Sequence, residues 1–202
     1  MLEVVNLACA RGDRPLFQDL SFVLTPGELL HVRGENGSGK TTLLRALCGL
    51  SQPAAGDIRW NGQVIQKQPE PFREQLCYIG HGNAIHGDLT PVENLQFEAC
   101  LGAENRIDTK QSLESQGLGR VARLPAKLLS QGQKRRVALA RLAVLNRLLW
   151  VLDEPFTALD VRAVDRLLVS LALHLDRGGL CILTSHQEVT VADWQVRTLT
   201  LG

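Results

Sequence analysis

Residues 34 to 41 read Gly34-Glu35-Asn36-Gly37-Ser38-Gly39-Lys40-Thr41, a match to the pattern GxxxxGK[ST]. Before this stretch runs Glu28 to Arg33, a short β-rich segment that follows a Pro26-Gly27 turn. After it, Leu43, Leu44, Leu47 and Leu50 recur at helical spacing along Lys40 to Leu50. The order is strand, loop, helix, the setting in which such a loop wraps an anion. Glycine permits a path tight enough to aim several amide N–H groups at one point, and the helix behind adds the positive end of its dipole. A chance match in a chain of this length has a probability of about one per cent. The dinucleotide fingerprint GxGxxG does not fit, because the glycines here run GxxGxG with Lys40 directly after the last. The segment Gly34 to Thr42, Glu35, Asn36 and Ser38 included, is predicted to cradle a triphosphate. Lys40 would reach the β and γ phosphates, and Thr41 would offer its hydroxyl to Mg²⁺.

A second stretch supplies what a phosphate cradle lacks. Leu148 to Asp153 is an apolar strand that ends in two carboxylates, Asp153 and Glu154. The C-terminal ends of strands are where an α/β sheet presents ligand-contacting residues. Asp153 is expected to hold the metal, directly or through water, and Glu154 to orient and deprotonate the water that attacks the γ phosphate. Standing alone, the pair would read as a solvated strand end or a helix cap.

Further out, Leu2 to Leu7 and Leu20 to Leu24 read as strands, and Asp57 to Ile65 as a hairpin around Asn61-Gly62, a dipeptide that supplies positive φ angles. Leu76 to Gly80 is a short strand; Thr90 to Leu129 is helical and more polar, opened by Pro91 and interrupted by Pro125. Ser130 to Arg147 is a helix with Val137, Ala140, Val144 and Leu148 on one face. Another helix carries Val161, Val164, Leu167, Leu168, Leu171 and Leu175 and leads into the strand Leu180 to Ser185. Strands alternating with helices predict an α/β fold with a mainly parallel, doubly covered sheet.

Composition bounds the remaining classes. The chain has 202 residues, with 22 Lys+Arg against 21 Asp+Glu, a formal net charge of +1 that argues against a nucleic-acid binder held by bulk positive charge. Its 45% hydrophobic content suits one globular domain over 1–202. No apolar run reaches the roughly 18 residues that cross a bilayer, and the N-terminus does not resemble a secretory signal. Five scattered cysteines without CxxC spacing read as reduced core thiols. The run Lys134-Arg135-Arg136, inside a helix, reads as a solvated face.

Ninety residues after Lys40 the chain reads Leu129-Ser130-Gln131-Gly132-Gln133. This resembles the LSGGQ signature of the ABC ATPases, with Gln131 in place of one Gly. Ala158-Leu159-Asp160 resembles the D-loop of that family, and His186, ending the run CILTSH, resembles its switch histidine. The resemblance covers nearly the whole chain. It implies the P-loop ABC ATPase fold, with a parallel core, an antiparallel β-subdomain and a helical subdomain over approximately 82–146. It also implies ATP and Mg²⁺ as ligands, Gln133 and Asp160 among the nucleotide-binding residues, and a head-to-tail homodimer in which Ser130 and Gly132 of one copy close on ATP held by the other. A Ser130 N-cap with Gln133 in the first helical turn is compatible with that role.

Two further positions depart from the family pattern. His81 stands where a Q-loop glutamine is usual; a neutral imidazole can donate or accept one hydrogen bond, whereas a protonated one would repel a cation, so coupling could acquire pH dependence. Arg11 stands in place of the aromatic A-loop residue, and a guanidinium plane can also stack on a base. Phe17, close by, reads as core. With the strings CYIGHGNAIHGDLTPVENL and LSQGQKRRVALARL, these departures resemble the ATP-binding subunits of cytochrome c maturation systems. That resemblance implies integral-membrane permease subunits as partners, indirect coupling to a haem chaperone, no nucleic acid, and a peripheral place on the cytoplasmic face of the bacterial inner membrane. No residue reads as a haem ligand, His86 included. The alternatives are a subunit of another ABC exporter, or an ABC ATPase acting on nucleic acid or ribosomes, for which the gap between Lys40 and Ser130 leaves no tandem domain or long coiled coil.

Overall fold

A computed structural model describes residues 1–12, 14–101, 108–191, 194 and 196–202. Two sheets organise these residues. The first is antiparallel, in the order β2-β1-β4-β5, from β1 (Leu2–Arg11), β2 (Arg14–Leu24), β4 (Ala55–Trp60) and β5 (Gln63–Val64). The second is parallel throughout, in the order β6-β7-β8-β3-β9, from β3 (Leu29–Gly34), β6 (Leu76–Ile79), β7 (Leu149–Leu152), β8 (Leu180–Thr184) and β9 (Val196–Leu201). The mainly parallel α/β architecture expected from the sequence is present. The expected hairpin is β4–β5, and its turn places Asn61 at φ 48° and Gly62 at φ 81°.

Period-two alternation decides how the parallel sheet is covered. Leu149, Val151, Leu180 and Ile182 point to one face, where they meet Leu43, Leu44 and Leu47 of α1 (Lys40–Leu47) and the inner side of the antiparallel sheet. Trp150, Leu152, Cys181 and Leu183 point to the other face, against α5 (Gln131–Leu145) and α6 (Val161–Asp176). Strands buried on both faces read as unbroken apolar runs, which is why β7 and β8 stand out in the sequence.

Between β6 and α5 lie α3 (Pro91–Leu101), α4 (Thr109–Ser115) and two short 3₁₀ turns. Leu95, Ala99, Leu113, Leu118, Ala126 and Leu129 form a separate small core there, closed by Val137, Ala140 and Val144 of α5. The opposite side of α5, with Ala138, Leu139, Leu142 and Leu145, packs under the parallel sheet. The helix therefore serves two cores at once. The single apolar face expected for it is corrected in one respect, since Leu148 lies beyond the helix end and is 46% exposed.

Three other expectations change. The run Lys134-Arg135-Arg136 is not a solvated face: Arg135 is buried, and its two neighbours are half-buried. Val161 is exposed at the start of α6 rather than part of its core stripe. Cys9, Cys48, Cys77 and Cys181 are buried free thiols as expected, but Cys100 is exposed. Two elements were not anticipated, the short α2 (Pro69–Arg73) and the edge strand β9.

Candidate nucleotide site

The glycine-rich loop joins β3 to α1, so its position follows from the parallel sheet. Gly34 has φ 152°, and a side chain there would collide with the Ser38 hydroxyl and the Leu201 carbonyl; the turn requires glycine. α1 begins at Lys40, and its first backbone bond runs from Leu43 N–H to the Gly39 carbonyl at 2.8 Å. The N–H groups of the preceding residues have no intrahelical acceptor and face whatever sits at this end of the helix. Lys40 folds back over the loop, its Nζ donating to the carbonyls of Gly34 at 2.7 Å and Glu35 at 2.9 Å.

β7 ends beside this loop. Asp153 is buried, and each carboxylate oxygen accepts a hydroxyl: Oδ2 from Thr41 at 2.9 Å, Oδ1 from Thr184 at 2.8 Å. The Thr184 hydroxyl also accepts the Glu154 backbone N–H at 2.9 Å. Glu154 adopts φ 49°, an uncommon conformation for a residue with a side chain and one that persists where its surroundings enforce it. Its Oε1 is buried without a hydrogen-bond partner and lies 3.5 Å from His186 Nε2.

These groups line one cavity of about 330 Å³, formed by Arg11, Asn36, Gly37, Gly39, Lys40, Thr41, Thr42, His81, Asp153, Glu154 and His186 together with Leu16. Two of the departures from the family pattern, Arg11 and His81, are therefore on its wall, and Phe17 is half-buried against the core as expected. Thr41, His81 and Asp153 also line an adjoining cavity with Tyr78, whose phenol is pushed up to about 12 chiefly by burial. The hydroxyl and carboxylate pair of Thr41 and Asp153 suits a hard cation. Mg²⁺ commonly takes one or two protein oxygens and completes its shell with phosphate and water.

Ser130, Gly132, Gln133 and Asp160 do not line this cavity. Ser130 caps α5 in a reciprocal box, its Oγ accepting from Gln133 N–H at 3.2 Å while Gln133 Oε1 accepts from Ser130 N–H at 2.8 Å. Asp160 caps α6 by accepting Ala163 N–H at 2.8 Å. Gly132 lies so close to the Ala158 carbonyl that an added Cβ would stand 2.6 Å from it. Within one chain, the signature segment is thus packed on the D-loop segment.

Leu16 on the cavity wall, Thr184 against Asp153, and Arg135 all escaped the sequence reading. Arg135, on the first turns of α5, extends beneath β7 and donates to the carbonyls of Asp153 at 2.7 Å, Glu154 at 2.9 Å and Gly80 at 2.8 Å. Burial lowers its pKa from the ordinary arginine value, and the nearby charges of Asp153 and Glu154 oppose that shift. The only local hint was its period on α5, three residues before Ala138 and four before Leu139, which pack under the parallel sheet.

The phosphate loop on a parallel sheet, with a paired carboxylate edge and a signature helix, defines a P-loop nucleoside triphosphatase of the cassette type. The sequence profile described as "ABC transporter" matches residues 17–157, and the chain belongs to that family. It is an ABC-type ATPase. Over its whole length it is 53% identical to the cytochrome c biogenesis ATP-binding export protein CcmA of Dechloromonas aromatica, covering 100% of both chains. The protein of the same name from Escherichia coli K12 is 47% identical, over 100% of this chain and 96% of the relative. Among solved structures, a putative ABC transporter ATP-binding protein from Pyrococcus furiosus superposes with a TM-score of 0.84 at 26% identity, covering 99% of this chain and 96% of that one. A dimeric post-hydrolysis state of the ATP-binding cassette MJ0796, bound to ADP and phosphate, gives 0.87 at 21% identity over 100% and 94%, a likeness of fold.

Proposed function

We infer that this chain is the ATP-hydrolysing subunit of an ABC complex serving cytochrome c biogenesis. It works as a head-to-tail homodimer bound to separate integral-membrane subunits at the cytoplasmic face of the bacterial inner membrane. The observation that carries the reading is the convergence of Lys40, the Thr41–Asp153 pair, Glu154 and His186 on one cavity. The full-length likeness to proteins named for cytochrome c biogenesis supports the pathway. No helix among the described residues is long and apolar enough to cross a membrane, so membrane subunits are assigned to other chains. Coupling to a haem chaperone would pass through those subunits.

In this reading the loop amides and Lys40 bind the phosphates, Lys40 exchanging its two carbonyl acceptors for phosphate oxygens. Thr41 and Asp153 hold Mg²⁺, which when bound offsets charge on the β and γ phosphates. Glu154 orients the attacking water and takes its proton at the buried oxygen, and His186 contacts the γ-phosphate end. Arg11 and His81 contact the nucleotide from the cavity wall. Ser130, Gly132, Gln133 and Asp160 line no part of their own chain's cavity, which supports their action on the nucleotide of the second copy. The helical segment over 82–146 is the docking side for the membrane subunits.

Glu154→Gln tests the core of this reading. ATP binding should persist while turnover falls by at least about a hundredfold, and nucleotide should trap a dimer in light scattering. Lys40→Ala should weaken binding itself. Equal turnover by Glu154→Gln and parent, or a nucleotide-bound monomer when hydrolysis is blocked, overturns the reading. Copurification from membranes with permease subunits tests the pathway; stimulation by RNA would instead favour an ATPase acting on nucleic acid.

A further inference from the structure

His31 is a polar residue inside an apolar sheet. It lies on β3, paired with Leu183 of β8 on one side and Thr198 of β9 on the other, and is only 2% exposed. By strand alternation it shares a face with Leu29, which packs with Leu183, Val189 and Val191. A buried imidazole in such a layer must find a partner or forfeit its hydration. Its partner is distant in sequence: Nε2 lies 3.2 Å from the Ser185 carbonyl oxygen. A carbonyl only accepts, so Nε2 carries the proton in this contact.

That carbonyl belongs to the peptide group linking Ser185 to His186. Ser185 is the first residue past β8, where ladder bonding to β3 and β7 has ended. The chain here is held on both sides of the peptide. Thr184 is tied through its hydroxyl to Asp153 and to the Glu154 N–H. Gln187 N–H donates to Ser185 Oγ at 3.0 Å. Between these ties stands His186, with Nε2 3.5 Å from the unpartnered Glu154 oxygen. His31 itself does not line the nucleotide cavity. It lies three residues before Gly34, so the strand that carries the phosphate loop also carries the donor that fixes the turn bearing His186.

We propose that His31 is a positioning residue for hydrolysis, its Nε2–H holding the Ser185 carbonyl and so setting where His186 stands beside Glu154. The proposal rests on the reading of His186 as a group that acts at the γ-phosphate end. A displacement of an ångström at such a group can cost up to about a hundredfold in rate, whereas nucleotide affinity is set mainly by the loop and Lys40.

The test is steady-state ATP hydrolysis by the full chain with three substitutions and a double-mutant cycle. His31→Met removes the donor at similar volume and should lower kcat about five- to tenfold with KM for ATP changed less than about twofold. His31→Gln presents an amide N–H at similar reach and should return kcat to within about twofold of the parent. His186→Ala gives the ceiling of the effect, and His31→Met added to it should cost almost nothing more. A merely structural role would give additive losses and no rescue by Gln, and either result overturns the proposal. Unchanged turnover in His186→Ala would instead overturn the reading of His186. Should His31→Met fail to fold, His31→Asn, whose amide stops one bond short of Gln, takes its place in the cycle.

Discussion

Arg135 Nη2 donates to the backbone carbonyl of Asp153 at 2.7 Å, so the helix that opens with the signature segment grips the main chain of the residue proposed to hold the metal. The same guanidinium holds Glu154 and Gly80 through their carbonyls, and no hydrogen bond joins it to the carboxylate of Asp153 or Glu154. Its planar fork reaches three carbonyls on two chain segments at once, which a point-like ammonium cannot do. The arrangement ties the end of β7, the exit of β6 and the start of α5 into one rigid unit behind the cavity.

Removing that cation should be costly. Arg135→Met leaves buried carbonyls without donors and is expected to destabilise the chain by about 3–5 kcal/mol. For a domain of this size that corresponds to a fall of roughly 10 °C in melting temperature. Arg135→Lys keeps the charge but loses the fork, and should fall between parent and Met variant. Thermal unfolding followed by circular dichroism decides the matter, and an unchanged midpoint in Arg135→Met would refute it.

Thr184 offers a narrower probe of the carboxylates. Its hydroxyl donates to Asp153 and accepts from Glu154 N–H, so Thr184→Val removes both bonds at nearly constant volume. One buried acceptor and one backbone donor are then left short, each worth about 1–3 kcal/mol. Turnover should fall about tenfold or more as Glu154 loses its hold, with nucleotide affinity within a few-fold of the parent. Thr184→Ser, which keeps the hydroxyl, should recover most of the rate. A kinetic comparison of the three proteins would show the idea wrong if Val and Ser behaved alike.

What was legible in the sequence was what is written locally. The phosphate loop, the carboxylate pair and the twice-buried strands each occupy a short window whose residue order reflects its own geometry. Arg135 and His31 were not legible, because their partners lie 18 and 154 residues away and nothing beside them in the chain announces the contact. A charge run on a helix reads as solvated unless the fold buries it, and here the exit of β6 and the end of β7 cover it. β9 was missed for a related reason. It is a six-residue edge strand, Val196-Arg197-Thr198-Leu199-Thr200-Leu201, and only its pairing with β3 makes it part of the sheet. The signature segment was recognised from its residues, yet its cis contacts, the Gly132 approach to Ala158 above all, were visible only in three dimensions.

The thiols divide four to one. Burial pushes Cys77 up to about 11 and raises Cys9, Cys48 and Cys181 as well, whereas Cys100 is exposed on α3. Thiolate is the reactive form, so the native chain should release one equivalent of chromophore rapidly from a disulfide reagent at neutral pH. All five should react in denaturant. Cys100→Ser should abolish the rapid phase. Rapid reaction of three thiols in the native state would contradict the packing of the sheet.

Stability should weaken in mild acid through two histidines. His31 and His174 both have pKa values lowered from the ordinary 6.5, burial being the largest cause in each case. His174 is stacked flat on Trp150, with ring centroids 3.7 Å apart, and its Nε2 contacts the Leu180 carbonyl at 3.2 Å. Above the unfolded value both states hold these rings neutral, and the fold keeps its full stability. Between that value and the lowered one, the unfolded chain takes up protons that the native chain refuses, so the unfolding free energy drops as pH falls. Each ring contributes a limiting slope of about 1.4 kcal/mol per pH unit. His174→Phe preserves a flat ring against Trp150 but cannot titrate, and should reduce the decline between about pH 6.5 and 5.5, above the ordinary carboxylate range. Denaturant unfolding of parent and variant at half-unit pH intervals measures the difference directly, and parallel curves through that window would show that His174 does not contribute.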